Sequence, residues 1–289
     1  MIKKGIILAG GIGTRMSPLT KAVNKQLLPL YDKPLIFYPL SILMLAGIKN
    51  ILLIVNKGQL SQFRRILPEK NNLGIKIEYK EQLKPAGLPQ AFTIGEKFIG
   101  KDNVSLILGD NFFYGQSLTK TLKRNISFKN GAKIFLHPVK NPERYGVATL
   151  NSKKKVIKLV EKPKKTKSNL AVTGLYFFDN KAAKYAKSLK PSKRGEFEII
   201  DLLNIYRKQN NLNAELIGRG GAWLDTGNVK DYYDASNFVS AIESRQGLKI
   251  ACLEEIALNN SWIKDKDIKN SISFYGKCDY SKYLKSLIN

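Results

Sequence analysis

The first fifteen residues constrain the fold more than any other stretch of this 289-residue chain. An uncharged apolar run over residues 5–9 predicts a β-strand buried on both faces, as in a parallel sheet. Glycines follow at positions 10, 11 and 13, and Thr14 and Arg15 come directly after them. Because glycine lets the chain turn tightly and exposes backbone N–H groups, such a loop can surround an anion. The sequence therefore predicts an α/β sheet with an anion-binding loop after its first strand.

This glycine loop fits neither of two familiar phosphate-loop patterns. A P-loop requires Gly, four further residues and then Gly-Lys-Ser/Thr, and the chain contains no such string. The dinucleotide pattern Gly-x-Gly-x-x-Gly fails because Met16 occupies the sixth position counted from Gly11. The glycines alone fit an ordinary strand-to-helix turn equally well. Arg15, and Lys25 a short distance downstream, favour the phosphate-binding interpretation.

The rest of the chain repeats strands and helices in a rhythm typical of βαβ units, which indicates a mostly parallel sheet. The predicted elements of the first part are strands at 50–55, 75–80 and 104–108 and helices at 34–48, 61–67 and 88–98. The second part predicts a mixed or antiparallel set of strands at 132–139, 146–150, 156–161, 172–178 and 212–217, with helices at 117–125, 196–208 and 229–245. Short helices are expected over the last forty or so residues.

Composition and charge exclude several classes of protein. Hydrophobic residues make up 43% of the chain and charged residues 25%, which is typical of globular proteins. No apolar run approaches the roughly 20 residues of a membrane helix. Cys252, Cys278 and the single His137 lack metal-ligand spacing, so we expect two free thiols and no histidine-dependent catalysis. We expect a cytoplasmic protein without membrane partners.

The net charge of +26 raises the possibility of a nucleic-acid-binding protein. However, 40 of the 49 basic residues are lysines, spread over most predicted elements, and only nine are arginines. Sites that hold phosphates in a fixed geometry favour arginine. The densest cluster, residues 162–167, contains no aromatic residue on which a base could stack. We therefore expect no nucleic-acid partner, and a non-catalytic nucleic-acid-binding protein stays a remote alternative.

Two aspartates are candidates for a metal site. Ligands of open α/β sheets bind at the carboxyl ends of the strands, where the glycine loop, the 82–87 loop and Asp110 should meet. Asp225, between Trp223 and Gly227, is the second candidate. Two carboxylates, together with phosphate oxygens and water, suit Mg²⁺. Either aspartate could instead stabilise a turn or a helix end, and the spacing alone does not bring the two together.

Several motifs together resemble those of the sugar-nucleotide pyrophosphorylases, specifically the glucose-1-phosphate thymidylyltransferase branch. The resemblance covers residues 1 to about 257. The motifs that carry it include Leu8-Ala9-Gly10-Gly11-x-Gly13-Thr14-Arg15, Lys25-Gln26-Leu27-Leu28-Pro29, Leu108-Gly109-Asp110-Asn111, Asn141-Pro142-Glu143-Arg144-Tyr145-Gly146, Glu161-Lys162-Pro163 and Ala222-Trp223-Leu224-Asp225-Thr226-Gly227.

The resemblance implies a fold and a domain organisation. The fold is a Rossmann-like nucleotidyltransferase fold, with a central, mostly parallel mixed sheet flanked by helices, a smaller sugar-binding β portion and C-terminal helices. Residues 1–245 would form a single catalytic domain, with a nucleotide-binding part at about 1–115 and a sugar-phosphate-binding part at about 130–227. Residues 246–289 would be a helical extension with oligomer or regulatory contacts, in a homotetramer.

The resemblance also implies a Mg²⁺-dependent reaction of dTTP with glucose 1-phosphate, and it assigns residues to each substrate. The implied catalytic residues are Arg15, Lys25, Lys162, Asp110 and Asp225, of which the two aspartates carry the metal. The implied nucleotide-binding residues are Leu8, Gly10, Gly11, Gly13, Thr14, Arg15, Lys25, Gln82, Pro85, Gly87 and Asp110. The implied sugar-phosphate-binding residues are Asn111, Tyr145, Gly146, Glu161, Lys162, Val172, Tyr176 and Trp223.

Some positions depart from the usual pattern of this branch. Ala86 and Pro89 alter the nucleotide loop, so another nucleotide such as UTP, or another sugar, stays an alternative. Gln116 replaces a usual histidine, and the tail from Leu258-Asn259 onward matches poorly. The family is often inhibited by dTDP-rhamnose at an interface, and these differences leave that regulation open. The product would feed dTDP-rhamnose or another deoxysugar.

Overall fold

A computed structural model describes residues 1–288, whose strands form one large sheet and two small ones. The strands are β1 (Lys4–Ala9), β2 (Pro29–Leu30), β3 (Lys33–Pro34), β4 (Asn50–Asn56), β5 (Lys76–Gln82), β6 (Val104–Leu108), β7 (Asn111–Tyr114), β8 (Ala132–Pro138), β9 (Gly146–Leu150), β10 (Val156–Glu161), β11 (Leu170–Phe178), β12 (Leu212–Leu216) and β13 (Ala222–Asp225).

The α-helices surround these sheets, and short 3₁₀ helices form at Thr14–Met16, Lys25–Leu27 and Pro142–Arg144. The α-helices are α1 (Leu19–Ala22), α2 (Phe37–Leu45), α3 (Leu60–Ile66), α4 (Gln90–Ile94), α5 (Glu96–Ile99), α6 (Leu118–Asn125), α7 (Ala182–Lys187), α8 (Ile199–Lys208), α9 (Val229–Gln246), α10 (Leu253–Asn259), α11 (Asp265–Tyr275) and α12 (Asp279–Ser286).

The large sheet has nine strands, and β1 lies near its middle. Seven strands follow the order β10-β9-β11-β6-β1-β4-β5, while β8 pairs with β11 and carries β12 on its other side. The strands β6, β1, β4 and β5 are parallel, and β11 joins β6 antiparallel. The predicted fold class is therefore confirmed, and the antiparallel strands of the second half extend the same sheet.

After Lys4, strand β1 is apolar from Gly5 to Ala9 because both of its faces are covered. Ile7 belongs to the core on one face, together with Leu43 of α2 and Leu253 of α10. Ile6 belongs to the core on the other face, together with Phe92 of α4. Since alternate side chains of a strand point to opposite faces, a run without polar positions is what this location requires. The packing also fixes where the loop after β1 begins.

Most predicted elements are present, and several bounds needed correction. Strands 104–108, 146–150 and 156–161 have the predicted bounds. The helix predicted from residue 34 begins at Phe37, because Lys33 and Pro34 pair with β2. The helix predicted at 61–67 runs from Leu60 to Ile66 without a side-chain cap. The helix predicted at 196–208 begins only at Ile199.

One predicted helix is divided in the structure, and three other elements, α7, β7 and β13, had no counterpart in the prediction. The helix predicted at 88–98 is divided into α4 and α5 at Gly95, whose Cα approaches Ile6 so closely that a Cβ would lie 2.8 Å from Ile6 Cδ1. Helix α7 was missed because it has only six residues. Strands β7 and β13 pair antiparallel in a separate two-stranded sheet, and the sequence analysis assigned no element to either segment.

A buried polar cluster links the three C-terminal helices to one another. Glu254 of α10 is buried and accepts hydrogen bonds from the hydroxyls of Tyr275 (2.9 Å) and Tyr280 (2.7 Å). Burial raises the pKa of this carboxyl, although the tyrosine hydrogen bonds oppose the shift. The proposed division at residue 245 stays a prediction. No helix within residues 1–288 has both the length and the hydropathy that crossing a bilayer requires.

Candidate active site

A cavity of about 400 Å³ lies at the carboxyl edge of the parallel strands. Both halves of the chain contribute to its wall, as the strand-end rule predicts. The predicted site residues that line it are Leu8, Gly10, Gly11, Arg15, Gln82, Pro85, Gly87, Asp110, Asn111, Tyr145, Gly146, Glu161, Lys162, Val172, Tyr176, Trp223 and Asp225. Three predicted residues, Gly13, Thr14 and Lys25, lie outside this wall, and Lys25 lines the adjoining cavity behind the glycine loop.

The glycine loop is held by a side chain at the end of β4. The amide of Asn56 forms two 2.8 Å hydrogen bonds with the backbone of Gly11, accepting from its N–H and donating to its carbonyl. Gly11 and Gly13 have φ angles of 105° and 67°, which glycine adopts at little cost. Because Asn56 uses the N–H of Gly11, that N–H is not available to an anion in this conformation. Anion contacts from the loop therefore fall to its neighbours and to Arg15.

Asp110, which lines the cavity, forms an ion pair with Lys25, which lines the adjoining one. Lys25 is 7% exposed, and its Nζ lies 2.7 Å from Asp110 Oδ2. The other carboxylate oxygen accepts a 3.0 Å hydrogen bond from Asn111 Nδ2. Burial acts to raise the pKa of Asp110, but the charge and hydrogen bond of Lys25 outweigh it and lower the pKa. Asp110 is therefore a carboxylate at neutral pH.

The pairing of β7 with β13 brings the second aspartate to the same place. Asp225 lies opposite Asn111 in this small sheet, and Thr226 donates to the carbonyl of Asp110 through its N–H (3.1 Å) and hydroxyl (2.8 Å). Burial, followed by the charge of Asp110, raises the pKa of Asp225 to about 6. The structure thus brings together two carboxylates that are separated by more than a hundred residues in the sequence.

Two carboxylates fit a metal ion that completes its shell with other oxygens. Within residues 1–288, no group of three or more His, Cys, Asp or Glu side chains is arranged to hold a metal. Mg²⁺ is commonly held by one or two carboxylates together with substrate phosphates and water. The repulsion that raises the pKa of Asp225 is the kind that a divalent cation relieves. The residues present therefore suit Mg²⁺ bound jointly with a substrate phosphate.

The predicted sugar side of the cavity is a rigid group of polar and aromatic side chains. Asn111 Oδ1 accepts hydrogen bonds from Trp223 Nε1 (2.6 Å) and from the N–H of Gly174 (3.0 Å). The ring of Tyr145 contacts the edge of Trp223 at a centroid distance of 5.1 Å. Burial, followed by the charge of Glu198, raises the pKa of Glu161. These contacts fix the orientation of groups that could bind the hydroxyls of a sugar.

Lys162 lies at the rim of the cavity in an unusual backbone conformation. Its φ angle is 40°, in the left-handed region that non-glycine residues rarely occupy. Its N–H donates a 3.0 Å hydrogen bond to the carbonyl of Tyr145, which holds the turn after β10. Strain of this kind is concentrated at ligand-binding positions. The side chain is exposed, as expected for a cation that meets a phosphate only when the substrate binds.

The structure adds two arginines that the residue assignments did not include. Arg144 forms an ion pair with Asp231, and Arg194 lies 3.7 Å from Glu161 and pairs with Glu196. Both arginines line the cavity. Arg144 stands inside one of the motifs quoted above, so its position was a usable signal. Arg194 follows an unremarkable Lys-rich loop, and only the path of the chain before α8 brings it to the site.

The loop after β5 forms the predicted nucleotide side. Gln82 is 3% exposed and lies against Gly10, where a Cβ atom would come within 2.0 Å of Gln82 Oε1. Gly87 has a φ angle of 112° and contacts the backbone of Phe197, so a side chain there would collide with the Phe197 carbonyl. Residues 10 and 87 therefore need glycine for close backbone approach.

The single histidine, His137, lies beside Trp223, with its Nε2 3.3 Å from the Gly221 carbonyl.

A parallel sheet with a glycine loop, paired carboxylates and several cations at its carboxyl edge defines a nucleotide-binding α/β enzyme. The family model described as Nucleotidyl transferase matches residues 4–242, and the chain belongs to that family. The predicted resemblance is thereby confirmed.

Two relatives are similar to nearly the whole length of this chain, and a solved structure is similar to most of it. A glucose-1-phosphate thymidylyltransferase of Neisseria meningitidis serogroup A is 51% identical over 285 residues, which cover 99% of both chains. One of Mycolicibacterium smegmatis is 47% identical over 286 residues, again 99% of both chains. A crystal structure of UDP-glucose pyrophosphorylase with UDP-glucose has a TM-score of 0.73 at 27% identity, covering 85% of this chain and all of that one.

Proposed function

We propose that this protein is a glucose-1-phosphate thymidylyltransferase, which converts dTTP and α-D-glucose 1-phosphate into dTDP-glucose and pyrophosphate. The observation that carries the proposal is the full-length similarity to enzymes of that name, at 47–51% identity. The cavity supports it, because residues proposed to bind the nucleotide and residues proposed to bind the sugar phosphate line it together with Asp110 and Asp225. An enzyme that joins a nucleotide to a sugar phosphate needs both sets of contacts in one site.

The chemistry requires no protein nucleophile. A phosphate oxygen of glucose 1-phosphate attacks the α-phosphorus of dTTP, one P–O bond forms, and the bond to the β-phosphate oxygen breaks. Pyrophosphate leaves with the bonding electron pair. Catalysis of this kind depends on positioning the reactants and stabilising the charge that develops. The lack of a histidine or cysteine among the cavity-lining residues agrees with this chemistry.

The cations of the cavity have distinct positions and therefore distinct proposed tasks. Arg15, at the end of the glycine loop, would bind the departing pyrophosphate. Lys25, already fixed by Asp110, would stabilise charge at the α-phosphate. Lys162 would hold the phosphate of the sugar, and Arg194 lies on the same side of the cavity. Removing one fixed donor from such a site typically costs about 10² to 10³ in kcat.

Asp110 and Asp225 would hold Mg²⁺, which neutralises phosphate charge and aligns the α-phosphate when it is bound. Neighbouring charges set the pKa of each carboxyl group and so decide whether it is ionised when the metal binds. Lys25 keeps Asp110 ionised, while Asp225 loses its proton more readily once a cation is close.

The nucleotide base would bind between the 82–87 loop and the glycine loop. Gln82 offers an amide to the edge of thymine, and Gly87 leaves room for the ring. A UDP-sugar product is the second candidate, favoured by the altered residue Ala86 and by the structural similarity to UDP-glucose pyrophosphorylase. We further propose a cytoplasmic homotetramer whose product enters dTDP-rhamnose or another deoxysugar pathway, with no nucleic-acid partner.

A substrate panel tests this function. The purified protein is incubated with Mg²⁺, glucose 1-phosphate and each of dTTP, UTP, CTP and ATP, and pyrophosphate release is measured. We expect the highest kcat/KM with dTTP, and no turnover when EDTA replaces Mg²⁺. A higher kcat/KM with UTP would favour the second candidate. Absence of pyrophosphate release with every nucleotide, combined with salt-sensitive DNA or RNA binding, would support the remote alternative.

A further inference from the structure

The side chain of Gln82 has one defined orientation at the nucleotide side of the cavity. Its Nε2 lies 2.5 Å from Gln90 Oε1, at the start of α4. Its Oε1 points the other way, over the Cα of Gly10. No donor within residues 1–288 forms a hydrogen bond with this oxygen. Gln82 therefore presents a free acceptor to whatever occupies the cavity.

A backbone amide fixes this orientation. The N–H of Ala86 donates a 3.0 Å hydrogen bond to the same Oε1 atom of Gln90. A backbone N–H can only donate, so the atom of Gln90 that it meets must be the oxygen. Gln82 must then turn its NH₂ group towards Gln90, because two amide oxygens would repel each other at that distance. The assignment of oxygen and nitrogen in both glutamines thus follows from the chemistry of Ala86.

We propose that Gln90 determines the base specificity of this enzyme. It does so by holding the side-chain amide of Gln82 in one orientation, with the acceptor atom Oε1 facing the base. The inference rests on the proposed function and extends it to a residue outside the cavity wall. Thymine carries a proton on N3 and can donate it to Gln82 Oε1, whereas N3 of cytosine carries a lone pair. A free glutamine could rotate and serve either base, but Gln82 held by Gln90 cannot. Gln90 is a positioning residue that acts through Gln82.

The experiment compares dTTP, dCTP and dUTP as substrates for the wild type, Gln90→Met and Gln90→Glu. Methionine keeps the length of the side chain but removes the acceptor, so Gln82 becomes free to rotate. We expect Gln90→Met to reduce the ratio of kcat/KM for dTTP over dCTP about tenfold or more. The dTTP over dUTP ratio should stay unchanged, because those bases differ only in a methyl group. Gln90→Glu can still accept from both partners and should retain the wild-type dTTP over dCTP ratio.

The controls separate this inference from the proposed function. Lys97→Ala, on the exposed side of α5, should leave every ratio unchanged. Lack of dTTP turnover by the wild type would refute the proposed function itself. Equal losses for dTTP and dCTP in Gln90→Met would indicate only structural damage and would overturn the inference. If Gln90→Met folds poorly, Gln90→Glu still tests the inference. Loss of the preference for dTTP over dCTP in Gln90→Glu would contradict the proposal that Gln90 fixes the orientation of Gln82.

Discussion

Replacing Asp225 by asparagine should stabilise the metal-free protein while abolishing the proposed Mg²⁺-dependent activity. Burial and the nearby charge of Asp110 raise the pKa of Asp225 from 3.8 to about 6. The folded protein therefore binds a proton at this site more tightly than the unfolded chain does. As the pH rises from 3.8 to about 6, Asp225 loses its proton and the free energy of unfolding falls. The whole of this loss is present above pH 6. Asparagine keeps the shape of the side chain and removes the charge.

The size of the effect follows from the pKa. A rise from 3.8 to about 6 corresponds to about 3 kcal/mol of unfolding free energy, which is an upper limit because the side chain is only partly buried. For a protein of this size, that amount raises the Tm by about 6 °C. The gain should shrink as the pH falls towards 4, because the wild-type carboxyl is then protonated.

The assay is thermal unfolding in EDTA at pH 7.5, 6 and 4.5, with the same variants assayed for turnover in Mg²⁺. Asp234→Asn is the matched control, since Asp234 is exposed on α9 and forms an ion pair with Lys230 one helical turn away. We expect its free energy of unfolding to change by no more than about 0.5 kcal/mol. A Tm of Asp225→Asn equal to or below the wild-type value at pH 7.5 would show that the two aspartates do not repel each other as described.

Three further predictions concern other parts of the site and fold. Lys25→Met should lower kcat at least about 100-fold, because a fixed cation is lost where charge develops. Asn56→Ala should raise the KM for dTTP about tenfold, since Gly11 loses both hydrogen bonds that hold the glycine loop, while the KM for glucose 1-phosphate changes little. Glu254→Ala should destabilise the protein by about 2–4 kcal/mol, because it leaves the buried hydroxyl of Tyr280 with only the weak acceptor Cys252 Sγ, 3.5 Å away.

Each of these predictions has its own control and its own contrary outcome. Steady-state kinetics with a circular dichroism spectrum of the variant separates loss of catalysis from unfolding in Lys25→Met, and activity within tenfold of wild type would contradict the assigned role. Equal increases of both KM values would show that Asn56 does not act on the nucleotide loop. Glu254→Gln keeps hydrogen-bonding capacity and should lose less stability than Glu254→Ala; equal losses would contradict the hydrogen-bond argument.

Local patterns predicted the central strands of the sheet well because those strands are buried on both faces. Strand 104–108 had its observed bounds in the prediction, since an uncharged run leaves no other interpretation. The start of α2 was placed wrongly, because residues 33–34 pair with β2 and no local pattern reports such a short hairpin. Strand β13 was not predicted, because its partner, β7, lies more than a hundred residues away in the sequence.

The candidate site depended on similarly long-range contacts. The residue types of Asp110 and Asp225 predicted their chemistry, but only the β7–β13 pairing brings them together. Arg194 reaches the cavity through a loop that has no motif. The orientation of Gln82 depends on Gln90 and a backbone N–H, which sequence patterns do not reveal. Residue types therefore indicate what a site can do, and the fold decides which of them act together.

The most direct test of the central proposal is a ³¹P NMR time course of one reaction containing the purified protein, Mg²⁺, dTTP and glucose 1-phosphate. The account predicts that both substrate signals decline together, while those of a sugar diphosphodiester and of free pyrophosphate grow in a ratio of one to one. Because the reaction transfers the α-phosphate without hydrolysis, neither dTMP nor inorganic phosphate should accumulate. Accumulation of dTMP or phosphate, or consumption of dTTP while glucose 1-phosphate stays constant, would contradict the proposal.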